Sequence, residues 1–197
     1  ALSPLAFTAV LMAIVGIFAA GHEYRYGTIQ PTLTAVPRRG LLMLAKILIV
    51  ALTAVAVAVA SMVVNWVVAS VLSGDALTVG SAIIDDILGF LALTTGWSLL
   101  GLGLAFLLRG VPSALVIIFV TPLVVEPLIA ALSNVPALDW LGGIVPYLPF
   151  AAGQRMLGTN QAFVDTDLGR WGSGAVFGVL ITLVLAVAWV LFRRRDA

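Results

Sequence analysis

Polar and apolar positions do not alternate along this chain; they come in blocks. Charge-free runs cover residues 2–20, 47–74, 87–108, 110–125 and 171–192. A hydrocarbon core about 30 Å thick is crossed by roughly 20 residues of helix rising 1.5 Å each, so every run is long enough to span it or nearly so. Barrel strands alternate with a period of two over about ten residues, and these runs are longer and continuous. The pattern predicts an all-α polytopic membrane protein with five spans at about 2–20, 41–73, 84–108, 111–133 and 171–192. The chain reads as one transmembrane domain, with a polar segment at 21–40 and a long connection at 134–170.

Composition agrees, with 62% hydrophobic residues, 10% charged and a mean hydropathy of +1.18. A soluble domain carries about 25% charged residues, so little of this surface can face water. The net charge of +1 gives no footing for nucleic acid, and the absence of cysteine excludes disulfides, thiolate metal sites and Cys nucleophiles.

Sidedness follows from the basic residues, because Lys and Arg are retained on the cytoplasmic face. Arg25, Arg38, Arg39 and Lys46 lie between the first two spans, Arg109 between the third and fourth, and Arg193, Arg194 and Arg195 after the last. The other connections carry Asp75, Asp85 and Asp86, then Asp139, Arg155, Asp165, Asp167 and Arg170. The expected orientation puts the C-terminus in the cytoplasm and the start of the first span outside. Nothing in the opening residues resembles a leader that would deliver an outward-facing start, so an upstream helix is expected, giving six spans in the full chain. A five-span protein is the alternative. High Ala and Val with Arg exceeding Lys points to a GC-rich bacterial gene and hence a bacterial inner membrane.

Segment 21–40 predicts a short helix lying on the membrane. Thr28 is placed to cap it, Pro31 falls in the first turn, and Pro37 ends it. Ile29, Leu33 and Val36 share one face. The plain alternative is a solvated loop whose charges only set topology.

Catalytic motifs are missing. The only lysine, Lys46, follows Ala45 and precedes Ile47, so there is no phosphate-binding loop. His22 is the sole histidine and lacks the second His that a zinc protease needs. No catalytic residue, metal site or cofactor site is expected.

Glu126 is the one ionisable residue deep in an apolar run, where a charge costs about 2.5 to 3.5 kcal/mol on insertion scales. Pro122 and Pro127 flank it, and the residue before a proline is disfavoured in helical geometry, so the fourth span is expected to break there. Glu126 either lines or gates a translocation pathway, or caps amides freed by the break. In the long connection, Pro149 to Leu157 predicts a short helix with Gly158 after it, and Trp140 and Trp171 suit an external aromatic belt.

Glu23-x-x-x-Gly27-Thr28, then Leu33, Pro37-Arg38-Arg39 and Ala45-Lys46 resemble the first cytoplasmic loop of ABC-2 type transporter permeases. The likeness continues through Gly96-Trp97-Ser98-Leu99-Leu100-Gly101-Leu102-Gly103 to Arg109, and in Leu148-Pro149-Phe150. It implies the ABC-2, type V exporter-like fold of six spans, with external re-entrant helices after the fifth span of the complete fold. It also implies that Glu23, Arg25, Gly27, Thr28, Ile29, Leu33, Pro37, Arg38 and Arg39 form a coupling helix docked on a cytosolic P-loop ATPase. Two copies of that partner, carrying ATP and Mg²⁺, would serve a homodimer or heterodimer of permease subunits. A stand-alone channel or a membrane-embedded enzyme is the rival reading.

Overall fold

A computed structural model describes residues 4–35, 38–73, 81–157 and 168–194. Eight α-helices run in the order α1 (Pro4–Arg25), α2 (Ile29–Ala35), α3 (Arg39–Ser73), α4 (Ser81–Leu108), α5 (Val111–Val120), α6 (Glu126–Leu132), α7 (Pro149–Arg155) and α8 (Arg170–Arg194). A single π-helical turn, Thr121–Val125, joins α5 to α6, so these two make one span. Five helical stretches are long and apolar enough to cross a membrane, and among the described residues there is no strand. The chain is a multi-pass helical membrane protein by length and composition.

The helix α4 is the axis of the bundle: 67% of its apolar stretch is buried in the protein, against 17% for α3. Its two main neighbours, α1 and α8, run parallel to it. Tyr24 near the end of α1 meets Phe106 near the end of α4, and Phe106 meets Phe192 near the end of α8, with ring centroids 6.4 and 4.9 Å apart. Gly96 and Gly103 of α4 lie against Phe177 and Val184 of α8 in the same sense. Three spans therefore finish at one end of the bundle. Arg25, Arg38, Arg39, Lys46, Arg109, Arg193 and Arg194 share that end, whereas Asp85, Asp86 and Asp139 lie at the other.

Small residues set the closeness of α1 and α4. Ala9, Ala13, Gly16 and Ala20 on α1, and Thr94, Ser98, Gly101 and Ala105 on α4, repeat at spacings of four, three and four, and all are buried. A Cβ on Gly16 would sit 1.9 Å from the Ser98 carbonyl oxygen, and one on Gly101 would sit 2.2 Å from that of Ala13. The two backbones touch, each with a glycine opposite the other's carbonyl. In lipid no hydrophobic drive separates helix from solvent, so association rests on such close van der Waals packing.

The structure departs from sequence expectation at several boundaries. Helix α1 runs on to Arg25, so residues 21–25 are its last turn and not the start of a connection. At 35 residues α3 is about 52 Å long at 1.5 Å per residue, well beyond the hydrocarbon thickness. The expected break at Glu126 is absent, since this residue is helical at φ −66° and ψ −47°. The disturbance comes one turn earlier, as the π-turn. Pro37, the tail beyond Arg194 and Gly158 lie outside the described residues.

Gly101→Val should force α1 from α4 and lower stability by about 3 kcal/mol or more, because a backbone carbonyl cannot yield as a side chain can. Gly178→Val, at a position whose Cβ would meet nothing, should change little. Unfolding of both purified variants in detergent checks this pair.

Candidate functional site

Two places carry polar chemistry, one at each end of the bundle. At the acidic end Glu126 is buried, 5% exposed. Both of its oxygens are used: the Phe150 N–H donates to Oε1 at 2.7 Å and the Ala151 N–H donates to Oε2 at 2.8 Å. These amides belong to the first turn of α7, where helical N–H groups have no intrahelical acceptor. Leu148, at the capping position of α7, has an apolar side chain that cannot accept them. A carboxylate 24 residues back thus does the work of an N-cap, and the positive end of α7 faces its charge.

The prolines explain how Glu126 reaches that position. Pro122 and Pro127 each remove a helical donor, and the span answers with a wide turn in which the Glu126 N–H donates to the Thr121 carbonyl, five residues back. The buried residues Val111, Ala114, Ile118, Pro122 and Glu126 follow spacings of three, four, four and four. A regular helix advances about 100° per residue and would carry Glu126 about 60° round from Val111, at the edge of that stripe. The π-turn takes up the difference and keeps the carboxylate facing inward. Beside it is a cavity of about 60 Å³, walled by Pro122, Pro127, Ala130, Val145 and Leu148.

From there α7 is locked onto the axis. Gly153 fits under Leu93 and Trp97, and Gly89 faces the Met156 carbonyl closely enough that a Cβ would lie 2.0 Å from it. Trp97 is enclosed by Phe150 and Phe177, with centroids at 5.7 and 6.2 Å. Arg170 pairs with Asp86, tying the start of α8 to the start of α4.

At the basic end the connection from α1 to α3 folds back on the chain. Lys46 Nζ bonds Glu23 Oε1 at 2.8 Å and the Ala19 carbonyl at 2.5 Å, fastening the last turn of α1 to the first turns of α3. Gly27, at φ +67°, makes the turn that lets α2 begin. Thr28 precedes α2, and its carbonyl accepts both the Thr32 N–H at 3.2 Å and the Thr32 hydroxyl at 2.8 Å. Ile29 is 6% exposed and packs in the core, which anchors α2. Arg25, Tyr26, Thr28, Gln30, Pro31, Thr34 and Arg38 are exposed. Arg25 lies over the Tyr26 ring at 5.7 Å, and His22 stacks on Phe18 and meets Tyr26 at a tilt. The side chain of Leu33 lies outside the described residues.

No family model, characterised protein or solved structure matches the chain. The site residues therefore stand on their geometry. Of the expected coupling residues, Glu23 and Ile29 are engaged within the chain itself, while Arg25, Gly27, Thr28 and Arg38 are presented outward. Sequence reasoning allowed Glu126 to cap the helix that follows it directly; the amides it reaches belong to α7. Among the described residues no group of three or more His, Asp or Glu could hold a metal.

Glu126→Gln replaces one acceptor by an amide NH₂ that confronts a backbone N–H, and Glu126→Leu strands both. The expected cost is about 2 kcal/mol for Gln and more for Leu, since a buried unsatisfied donor costs about 1 to 3 kcal/mol. Thermal unfolding in detergent, with thiol labelling of a cysteine placed at Ala151, reads both the loss and the loosening of α7.

Proposed function

We propose that this chain is the permease subunit of an ATP-driven exporter of the ABC-2 type, coupled through its basic end to a separate P-loop ATPase. The single observation that carries this reading is the short helix α2, pinned to the bundle by Ile29 and turned outward along Gln30, Pro31 and Thr34. A solvated connection has no reason to bury an anchor. A rigid helix between two spans is suited to pass a push from a cytosolic partner into both of them, and Lys46–Glu23 makes α1 and α3 respond together. Two ATPase copies would serve a pair of permease subunits, with ATP and Mg²⁺ held by the partner. Within this reading the basic end is cytoplasmic, the membrane is the bacterial inner membrane, and α7 roofs the external side.

Glu126 then belongs to the outer gate and acts as its latch. Its bonds to the amides of Phe150 and Ala151 hold α7 down. Release of those two bonds would free the roof over the cavity beside α6.

The contact surface differs from the one apolar spacing alone would choose. Ile29 supports α2 from below, so the partner would meet Arg25, Tyr26, Gln30 and Thr34. Central residues of small interfaces can each contribute 2 kcal/mol or more, about 30-fold in affinity. Thr34→Trp or Arg25→Glu should therefore release a co-expressed ATPase subunit from the purified permease and abolish membrane-bound ATPase activity, while the spans stay inserted. Full retention of both by both variants would refute the coupling role.

A further inference from the structure

At the basic end the start of α3 and the finish of α8 converge. Gly40 lies against the indole of Trp189, where a Cβ would approach the ring to 3.1 Å. Arg39 reaches across to the Phe192 carbonyl at 3.5 Å. Between the helices is an open groove of about 510 Å³ lined by Arg38, Arg39, Leu41, Leu44, Trp189 and Arg193. A second groove of about 370 Å³ shares Trp189 and Arg193 and is walled also by Val190 and Arg194. Arg38, Arg193 and Arg194 are exposed, and among the described residues no carboxylate pairs with them. Arg38 and Arg193 line the same groove, and two like charges there are available to a shared anion.

We propose that this groove binds the phosphate headgroup of an anionic phospholipid, held by Arg38 and Arg193 beside Trp189, with the acyl chains along Leu41 and Leu44. Arginine supports this choice, because its planar fork takes phosphate oxygens two at a time. The apolar side of the groove decides for a lipid over a soluble phosphate. Leu41 and Leu44 are 52% and 44% exposed, and the exposed stripe continues up α3 through Leu48 and Leu52, in the direction acyl chains would take. An indole at the boundary between charged groups and apolar surface is the usual interfacial arrangement. The inference does not rest on an ATPase partner, since it concerns the permease chain alone.

The test uses the full chain in phosphatidylcholine bilayers, with spin-labelled phosphatidylglycerol or phosphatidylcholine as the probe and the motionally restricted fraction as the readout. Phosphatidylglycerol should be favoured about fivefold, as expected for basic residues at an anionic headgroup. The double variant Arg38→Gln, Arg193→Gln should bring the two lipids to parity. Arg25→Gln, which removes a charge from the same end but outside the groove, should leave the preference intact. Equal association of both lipids with the unmodified protein, or a preference that survives the double variant, would overturn the site. An equal loss with Arg25→Gln would show only a diffuse field and would also overturn it. Displacement of the labelled phosphatidylglycerol by millimolar inorganic phosphate would assign the groove to soluble phosphate instead.

Discussion

The backbone contact between α1 and α4 is the constraint from which the rest of the bundle follows. Glycine stands opposite a carbonyl twice, at Gly16 with Ser98 and at Gly101 with Ala13, so the two helices approach as closely as backbones can. Because they run parallel, the connection between them must return the chain across the membrane, and α3 does this. With α8 parallel on another side of α4, three spans end together and their basic flanks are gathered at one end. The charge asymmetry that orients a membrane protein is here also the feature that builds a cationic, partly apolar surface where the start of α3 meets the finish of α8.

The opposite end is closed differently. A buried carboxylate in a membrane span is costly, and here the cost is offset by two amides that would otherwise be stranded at the start of α7. Each group resolves the other's deficit. This explains why two prolines are tolerated so near the charge: the π-turn they impose sets the direction in which Glu126 points. Trp97, enclosed by Phe150 and Phe177, then welds the short helix to the axis.

The spans, and the gathering of basic residues at one end of the bundle, were legible in the sequence because bilayer thickness and charge asymmetry act on long runs, where many residues vote together. The fine geometry was not. Residue preferences at Pro127 favoured a break at Glu126, but a helix can widen by one residue instead, and only the tertiary position of α7 chooses between the two outcomes. The partner of Glu126 was invisible because it is a pair of main-chain amides, to which no residue type corresponds. Ile29, expected on the sequence to be part of a partner-facing coupling helix, packs instead in the chain's own core. What covers the apolar face of α2 could not be read, since an amphipathic pattern is the same whether it meets lipid, a partner or the chain's own core. The stripe at Ala9, Ala13, Gly16 and Ala20 was overlooked because alanine is common throughout the chain, and only its pairing with Ser98 and Gly101 marks it as a seam.

The central claim is that one end of the bundle, with α2 on it, faces the cytosol, where a coupling partner would be. The chain has no cysteine, so single thiols report without background. Cysteine at Asp139, exposed at the acidic end, and cysteine at Thr34, exposed on α2, should be compared in intact cells with a membrane-impermeant maleimide. The account predicts that Asp139→Cys labels in intact cells and that Thr34→Cys labels only after permeabilisation. Labelling of Thr34→Cys from outside, with Asp139→Cys protected, would contradict it.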